Sequence, residues 1–305
     1  MTTTTATHGS DEPTASTAPA AVPALGTPRA PDLSHVAVMG IVNRTPDSFY
    51  DRGRTFALEA AVTAALRAVA EGADWVDVGG VPFSPDTPAV EVAAEIDRVV
   101  PVVAAIRAVS DVMISVDTTT PAVAAACVEA GADVVNDTNG LRDEAMLEVV
   151  AATGATVVVA HSLAAPHVHL PRPEYRDVVA EVAAFLRAQV DRAVSRGVAR
   201  ERIVSDPGHD LNKNTDHSLE LTRRLDEITV IGPTLVALSR KDFVGETLGR
   251  RADERLAGSL AVAAWCVEHG AQVVRAHDVR ATVDAVRMVE AVLGRRAPLE
   301  HRHNR

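Results

Sequence analysis

Polar residues end several short apolar runs in this sequence. Asp117 ends ISVD, Asn136 ends VVN, and Asp206 ends IVSD. Carboxylates accept hydrogen bonds, whereas a carboxamide both donates and accepts them. Together these three side chains suit a planar heterocycle that is rich in N–H groups.

A second set of polar residues is cationic. Arg275 and His277 lie two residues apart in QVVRAHD, so their side chains point to the same side if this segment is a strand. Such donors suit a phosphate or pyrophosphate, and Arg44 is a further candidate. The two sets indicate a ligand with a heterocycle at one end and an anion at the other. The alternative is an ion-pair network that only holds these segments together.

The elements that must position these residues form a repeating pattern. Each apolar run is followed by a stretch with apolar residues at helical spacing, as in LEAAVTAALRAVAEG. The predicted strands are 36–43, 74–80, 113–118, 133–139, 156–161, 203–208, 234–241 and 272–278. The predicted helices are 57–72, 90–109, 121–131, 143–154, 175–197, 216–227, 253–270 and 281–293. Eight strand–helix units predict an α/β fold, a (β/α)8 TIM barrel over 34–294, whose active site lies where the strands end. Asp137 and Asp278, also at strand ends, are equally compatible with helix N-caps.

The composition excludes several classes of function. A net charge of −11 and an aromatic content of 3% argue against binding to nucleic acid or to an anionic membrane surface. The sequence has no apolar run of 18 residues, which predicts no membrane span. Cys127 and Cys266 lie in apolar helical contexts, which fits a reducing cytoplasm. Residues 1–33 are rich in Thr, Ala and Pro and are predicted to be disordered, and 295–305 are predicted to form a basic tail.

Eight motifs in this order resemble the dihydropteroate synthase family. They are MGIVNRTPDSF (39–49), DVGG (77–80), ISVDT (114–118), VNDTNG (135–140), SDPG (205–208), LSRKDFVG (238–245), ERLAGSLA (254–261) and VVRAHDV (273–279). The resemblance implies a TIM-barrel homodimer, and a cytoplasmic location fits the two cysteines above. It also implies a transferase of folate synthesis that condenses 6-hydroxymethyl-7,8-dihydropterin pyrophosphate with 4-aminobenzoate and releases pyrophosphate.

The resemblance also implies roles for single residues. The pterin would be held by Asp117, Asn136, Asp206 and Lys241. The pyrophosphate would be held by Asn43, Arg275 and His277, with Asn43 contacting Mg2+. Ser239 and Lys241 would approach the aminobenzoate. Asp117 and Lys241 would be the catalytic residues, because a nearby carboxylate stabilises the pterin cation left by the departing pyrophosphate.

The sequence departs from the family pattern in two loops. Where the family reads GGESTRPG, this chain reads GGVPFSPD, so Phe83 and Ser84 replace a threonine and an arginine. Where the family reads DPGIGFGKT, this chain reads DPGHDLNKNT, and Leu211 replaces an aromatic residue. Three hypotheses follow: an active synthase of impaired activity, a diverged paralogue that binds pterin-like or sulfa-like ligands without significant turnover, and a pterin methyl-transfer domain. The third would require a corrinoid partner domain.

Overall fold

The eight parallel strands close into a barrel. The computed structural model describes residues 1, 28–43, 58–81, 90–165, 168 and 170–303. The strands are β1 (Ala37–Asn43), β2 (Trp75–Gly79), β3 (Met113–Asp117), β4 (Val134–Asp137), β5 (Thr156–Ala160), β6 (Ile203–Asp206), β7 (Leu235–Ala237) and β8 (Val273–Ala276). Their order is β6-β5-β4-β3-β2-β1-β8-β7, and a parallel bridge between Ser205 and Thr234 joins the two edge strands. The prediction of a (β/α)8 barrel is therefore confirmed.

Helices surround this sheet on the outside. They are α1 (Leu58–Ala70), α2 (Val92–Arg107), α3 (Pro121–Glu129), α4 (Glu144–Thr153), α5 (Val178–Ser195), α6 (Thr215–Arg223), α7 (Asp226–Thr229), α8 (Asp242–Leu248), α9 (Leu256–Glu268) and α10 (Val279–Val292). The predicted helix 216–227 is divided into α6 and α7, and α8 was not predicted. No helix in the described part of the chain is both long and apolar enough to cross a membrane.

The barrel interior determines which side chains reach the site. A cluster of buried apolar residues fills it: Ala37, Met39, Trp75, Val134, Val158, Val204, Leu235, Ala237 and Val273. Side chains two positions apart on a strand point to the same face. The residues two positions beyond Trp75, Val134, Val204 and Val273 are polar, and they therefore lie above this apolar layer at the ends of their strands.

The opposite end of the barrel is closed by an N-terminal segment. The Arg29 backbone N–H and guanidinium donate to the Asp133 carboxylate at 2.9–3.1 Å. The Arg107 guanidinium donates to the same carboxylate at 2.6 Å, and Leu33 packs against the apolar cluster inside the barrel. Residues 28–33 are thus ordered, which differs from the prediction of disorder over 1–33, and residues 2–27 lie outside the described part of the chain. One arginine paired with a buried aspartate and one leucine inside the barrel are enough to fix this segment.

We expect Arg29→Ala to lower the free energy of unfolding by about 2 kcal/mol, because it removes charge-assisted hydrogen bonds to a buried carboxylate. Urea unfolding followed by circular dichroism measures this change. Arg251→Ala is the matched control, since the Arg251 side chain is 81% exposed and forms its ion pair with exposed Asp253. Equal unfolding midpoints for the two variants would show that the Arg29 side chain contributes nothing to the stability of the fold.

Candidate active site

A cluster of four polar side chains lies at the mouth of the barrel on the ends of β2, β3, β4 and β8. Arg275 donates through Nε to Asp77 Oδ2 at 2.6 Å and through Nη2 to Asp117 Oδ2 at 2.9 Å. Asn136 Nδ2 donates to the same Asp77 oxygen at 3.0 Å. The structure thus brings together Asp117, Asn136 and Arg275, which were predicted to bind two different parts of one ligand.

Asp77 is the site residue that sequence reasoning left out of its candidate set. It is fully buried, and its Oδ1 makes no hydrogen bond with any residue that the structure describes. The signal was present, because Asp77 lies in the DVGG motif two residues after the inward-facing Trp75. Its role as the link between Asn136 and Arg275 depends on the register of non-adjacent strands, which the sequence does not show.

The charges at this cluster shift the acidity of Asp117. Removal from water raises the pKa of Asp117 to about 7, with the Asp77 carboxylate adding to the rise and Arg275 opposing it. For Arg275, burial alone would lower the pKa of the guanidinium, but the two carboxylates outweigh it and raise that pKa. The cluster therefore combines a permanent cation with a carboxyl group that changes its charge near neutral pH.

Asp206 lies at the end of β6 beside the side chain of Lys241. Its Oδ1 accepts a hydrogen bond from the Gly208 backbone N–H at 2.7 Å, and the residue is 6% exposed. Burial raises the pKa of Asp206, while Lys241 and Lys213 oppose the rise. The Lys241 ammonium donates to the backbone carbonyl of His209. These contacts orient a carboxylate and an ammonium group at the same edge of the barrel mouth.

Both lysines of the chain are close to Asp206. Lys213 is buried, and its ammonium lies 2.9 Å from His161 Nδ1. Burial lowers the pKa of Lys213 to about 7, and burial together with Lys213 lowers the pKa of His161 to about 2. His161 is therefore a neutral acceptor rather than a proton carrier at physiological pH. Its ring packs edge-on against Phe185 on α5, at 5.0 Å between ring centroids.

The remaining predicted site residues lie on β1 and at the ends of β7 and β8. Ser239 Oγ accepts a hydrogen bond from the His277 backbone N–H at 3.2 Å and lies 3.1 Å from His277 Nδ1. Asn43 is the last residue of β1, and its Oδ1 lies beside Gly79 at the end of β2. Arg44 and the second loop with Phe83 and Ser84 lie outside the described residues.

Asp137 and Asp278, which the sequence leaves open as site residues or helix N-caps, differ in the groups that they contact. Asp137 accepts hydrogen bonds from the backbone N–H groups of Asn139 and Leu141, at 2.8 Å each, and thereby shapes the turn after β4. Asp278 forms a bidentate ion pair with Arg240, with both N–O distances at 2.8 Å. This pair links the turn after β7 to the turn after β8.

Comparison with known proteins assigns the family. The family model described as "Pterin binding enzyme" matches residues 39–277. A Mycobacterium leprae protein named "Inactive dihydropteroate synthase 2" is 48% identical over 268 residues, covering 86% of this chain and 92% of that protein. The dihydropteroate synthase of Escherichia coli is 42% identical, covering 86% of this chain and 93% of that protein. The chain belongs to the dihydropteroate synthase family.

Solved structures of dihydropteroate synthases share the barrel. The Xanthomonas albilineans synthase with 4-aminobenzoic acid gives a TM-score of 0.80 at 41% identity, covering 86% of this chain and 94% of that one. The same enzyme in complex with 7,8-dihydropteroate gives a TM-score of 0.77 at 40% identity, covering 86% and 95%. The fold and the transferase family are thus established together.

The structure explains two departures from the dihydropteroate synthase pattern. Asp210 and Asn212 stand where the family motif has glycine, and both adopt the left-handed conformation, with φ of 61° and 47°. Aspartate and asparagine tolerate this conformation better than other residues that carry a Cβ. The β6–α6 loop therefore keeps a backbone suited to glycine while gaining two polar side chains.

Proposed function

We propose that this chain binds 6-hydroxymethyl-7,8-dihydropterin pyrophosphate and condenses it slowly with 4-aminobenzoate. The observation that carries the proposal is the arrangement of Asp117, Asn136, Asp206 and Lys241 around the barrel mouth. Arg275 lies between the carboxylates of Asp77 and Asp117. These groups match a heterocycle that both donates and accepts hydrogen bonds. A titration of the protein with the pterin pyrophosphate, followed by an assay of pyrophosphate release, tests both parts of the proposal.

The chemistry requires the carbon–oxygen bond to the pyrophosphate to break and a carbon–nitrogen bond to the aniline to form. The aniline nitrogen then loses one proton to solvent. As the anionic leaving group departs, positive charge spreads over the pterin, and the carboxylates of Asp77 and Asp117 are placed to stabilise it. The aniline needs positioning more than a strong base. In this proposal Ser239 and Lys241 supply that positioning.

Arg275 can serve both the pterin side and the pyrophosphate side. Its Nε and Nη2 hold Asp77 and Asp117, whereas Nη1 makes no hydrogen bond with the residues that the structure describes. A guanidinium with one remaining edge can still bind a phosphate oxygen. We therefore assign the pyrophosphate to Nη1 of Arg275, to His277 and to Asn43.

Mg2+ fits this proposal as a companion of the pyrophosphate. Among the described residues, no group of three His, Cys, Asp or Glu side chains is suited to hold a metal ion. Mg2+ commonly takes few protein ligands and completes its shell with phosphate oxygens and water. The amide oxygen of Asn43 fits the role of a single protein ligand. The bound ion would neutralise charge on the leaving group.

Impaired turnover is part of the proposal. The heterocycle-binding residues of the family pattern are all retained, whereas the second loop lacks its threonine and arginine. The M. leprae relative carries "inactive" in its name. The second candidate function is therefore a protein that binds pterin or sulfa-like ligands without significant turnover. An assay that detects binding but no pyrophosphate release would favour it.

We expect pterin binding to strengthen with rising pH. The Asp117 carboxyl has a pKa of about 7 in the free protein, and only its ionised form accepts charge-assisted hydrogen bonds through both oxygens. The affinity should therefore be close to its maximum at pH 8. At pH 6 it should be about tenfold weaker, because Asp117 must first lose its proton. Calorimetry with 6-hydroxymethyl-7,8-dihydropterin, which carries no phosphate of its own, measures this dependence.

Asp117→Asn is the variant that isolates the Asp117 titration from that of Lys213. It cannot ionise at this position, so the rise in affinity between pH 6 and pH 8 should disappear in this variant. Any remaining pH dependence should have the opposite sign, because Lys213, whose pKa is about 7, loses its proton over the same range. A wild-type profile that is flat over this range would contradict the assigned role of Asp117.

We further propose a cytoplasmic homodimer that associates through α9 and α10. Three large apolar side chains on these helices are exposed: Trp265 at 44%, Met288 at 63% and Val292 at 73%. Exposed apolar residues on adjoining helices are typical of subunit interfaces. Nucleic-acid and membrane partners are not part of the proposal.

Met288→Asp combined with Val292→Asp is expected to convert the dimer into a monomer, because association would bury two carboxylates without partners. Sedimentation velocity of the wild type and the double variant measures the change. A wild type that sediments as a monomer at micromolar concentration would rule out the proposed dimer.

A further inference from the structure

The β6–α6 loop, residues 207–214, is bound to its neighbours through side chains that a glycine-rich loop would lack. Asn212 Oδ1 accepts a hydrogen bond from Ser162 Oγ–H at 2.5 Å and from the Ala164 backbone N–H at 2.8 Å. The hydroxyl of Tyr175 donates to the Asn212 carbonyl at 3.1 Å. Three contacts thus join Asn212 to the β5–α5 loop, residues 161–177, and the two to Oδ1 depend on its side chain.

Lys213 holds the same loop through its buried side chain. Its buried ammonium donates to the carbonyl oxygens of Gly208 and Leu211 at 3.0 Å each, and to that of His161 at 3.2 Å. The first two contacts close the loop on itself, and the third joins it to the end of β5. A buried ammonium with this many partners holds its surroundings tightly, because any movement leaves a charged group without hydrogen bonds.

The loop in turn holds two side chains of the proposed pterin site. The Gly208 N–H donates to the Asp206 carboxylate at 2.7 Å, and Lys241 donates to the carbonyl of His209. Gly208 is therefore bound on one side to Lys213 and on the other to Asp206. A shift of this loop would move an acceptor and an ammonium of the site together.

We propose that Asn212 and Lys213 are positioning residues that keep Asp206 and Lys241 in their ligand-binding arrangement before the ligand arrives. The inference rests on the proposed function, since it concerns the same heterocycle site. Neither residue needs to contact the ligand. They act by raising the fraction of molecules whose site is already in the binding arrangement. The apparent Kd equals the intrinsic Kd divided by this fraction, so a smaller fraction means weaker binding.

The sharpest test replaces Asn212 in two ways. Asn212→Gly tolerates the left-handed backbone and removes only the side-chain acceptor. Asn212→Asp also tolerates that backbone and keeps an oxygen acceptor for both donors. Asn214→Gly is the matched control, because the Asn214 side chain accepts from the His217 N–H within its own helix and does not join the two loops.

We expect Asn212→Gly to weaken binding of 6-hydroxymethyl-7,8-dihydropterin pyrophosphate by about 3- to 10-fold. Amide hydrogen exchange at Gly208, which reports on its bond to Asp206, should accelerate in parallel. Asn212→Asp and Asn214→Gly should stay within about twofold of the wild type in both measurements. Lys213→Met should act in the direction of Asn212→Gly if the variant folds.

Two results would overturn the inference: Asn212→Gly that behaves like Asn214→Gly in either measurement, or Asn212→Asp that fails to restore the wild-type values. Asp206→Ala, measured alongside, separates this outcome from a failure of the proposed function. If Asp206→Ala leaves the affinity unchanged, or the wild type does not bind the pterin, the proposed function is wrong. The Gly208 exchange rates then still decide whether Asn212 positions the loop.

Discussion

Restoring threonine and arginine in the second loop, by Phe83→Thr together with Ser84→Arg, is expected to raise synthase turnover by about 100- to 1000-fold. The physical reason is that a preorganised cationic donor beside a departing anion is typically worth this much in rate. The pterin affinity should change much less, because the residues proposed to bind the heterocycle remain in place. Steady-state release of pyrophosphate at saturating pterin measures the effect.

Arg44→Ala is the control for this double substitution. If Arg44 had taken over the charge lost from the second loop, removing it would abolish the remaining turnover. We expect it to change turnover little. A wild-type rate equal to that of a synthase with the usual loop, assayed alongside, would show that the loop was never essential here.

Asp206→Ala is expected to weaken pterin binding by about 10- to 150-fold. The carboxylate is buried and oriented by the Gly208 N–H, so each hydrogen bond that it makes to the ligand is charge-assisted, at about 1.5–3 kcal/mol. Calorimetric titration with the pterin pyrophosphate measures the loss. Asp191→Ala is the control, since the Asp191 side chain is 72% exposed on α5. Equal affinities for the two variants would mean that Asp206 does not bind the heterocycle.

The barrel could be predicted because its pattern is local. A strand buried on both faces is apolar along its length, and the helices show their own period, so eight units are visible in the sequence. The ordered segment 28–33 could not be predicted in the same way. It is held by the Arg29–Asp133 ion pair, whose partners are more than one hundred residues apart.

The sequence predicts which residues belong to the candidate site better than it predicts which of them contact each other. A polar residue two positions beyond an inward-facing apolar residue also faces the barrel interior. This alternation explains why the strand-end residues lie together at the barrel mouth: Asp117, Asn136, Asp206 and Arg275. Which of them contact each other depends on barrel closure. Arg275 on β8 contacts Asp77 on β2 and Asp117 on β3, although β1 lies between β8 and β2. No pattern in the sequence indicates these partners.

The role of Asn212 was hidden for a different reason. In the sequence, asparagine in place of glycine reads as a loop substitution without consequence. Its proposed role depends on two features of the fold. Asn212 tolerates the left-handed backbone of this loop, and the fold places two donors of the β5–α5 loop beside its side chain.

The central claim is that the chain keeps a working pterin site while the second loop limits catalysis. The most direct measurement is a steady-state assay of pyrophosphate release with both substrates, run beside the E. coli synthase. We expect a KM for the pterin pyrophosphate within about tenfold of that enzyme and a kcat at least about 100-fold lower. An equal kcat, or a rate that does not saturate with the pterin, would contradict the claim.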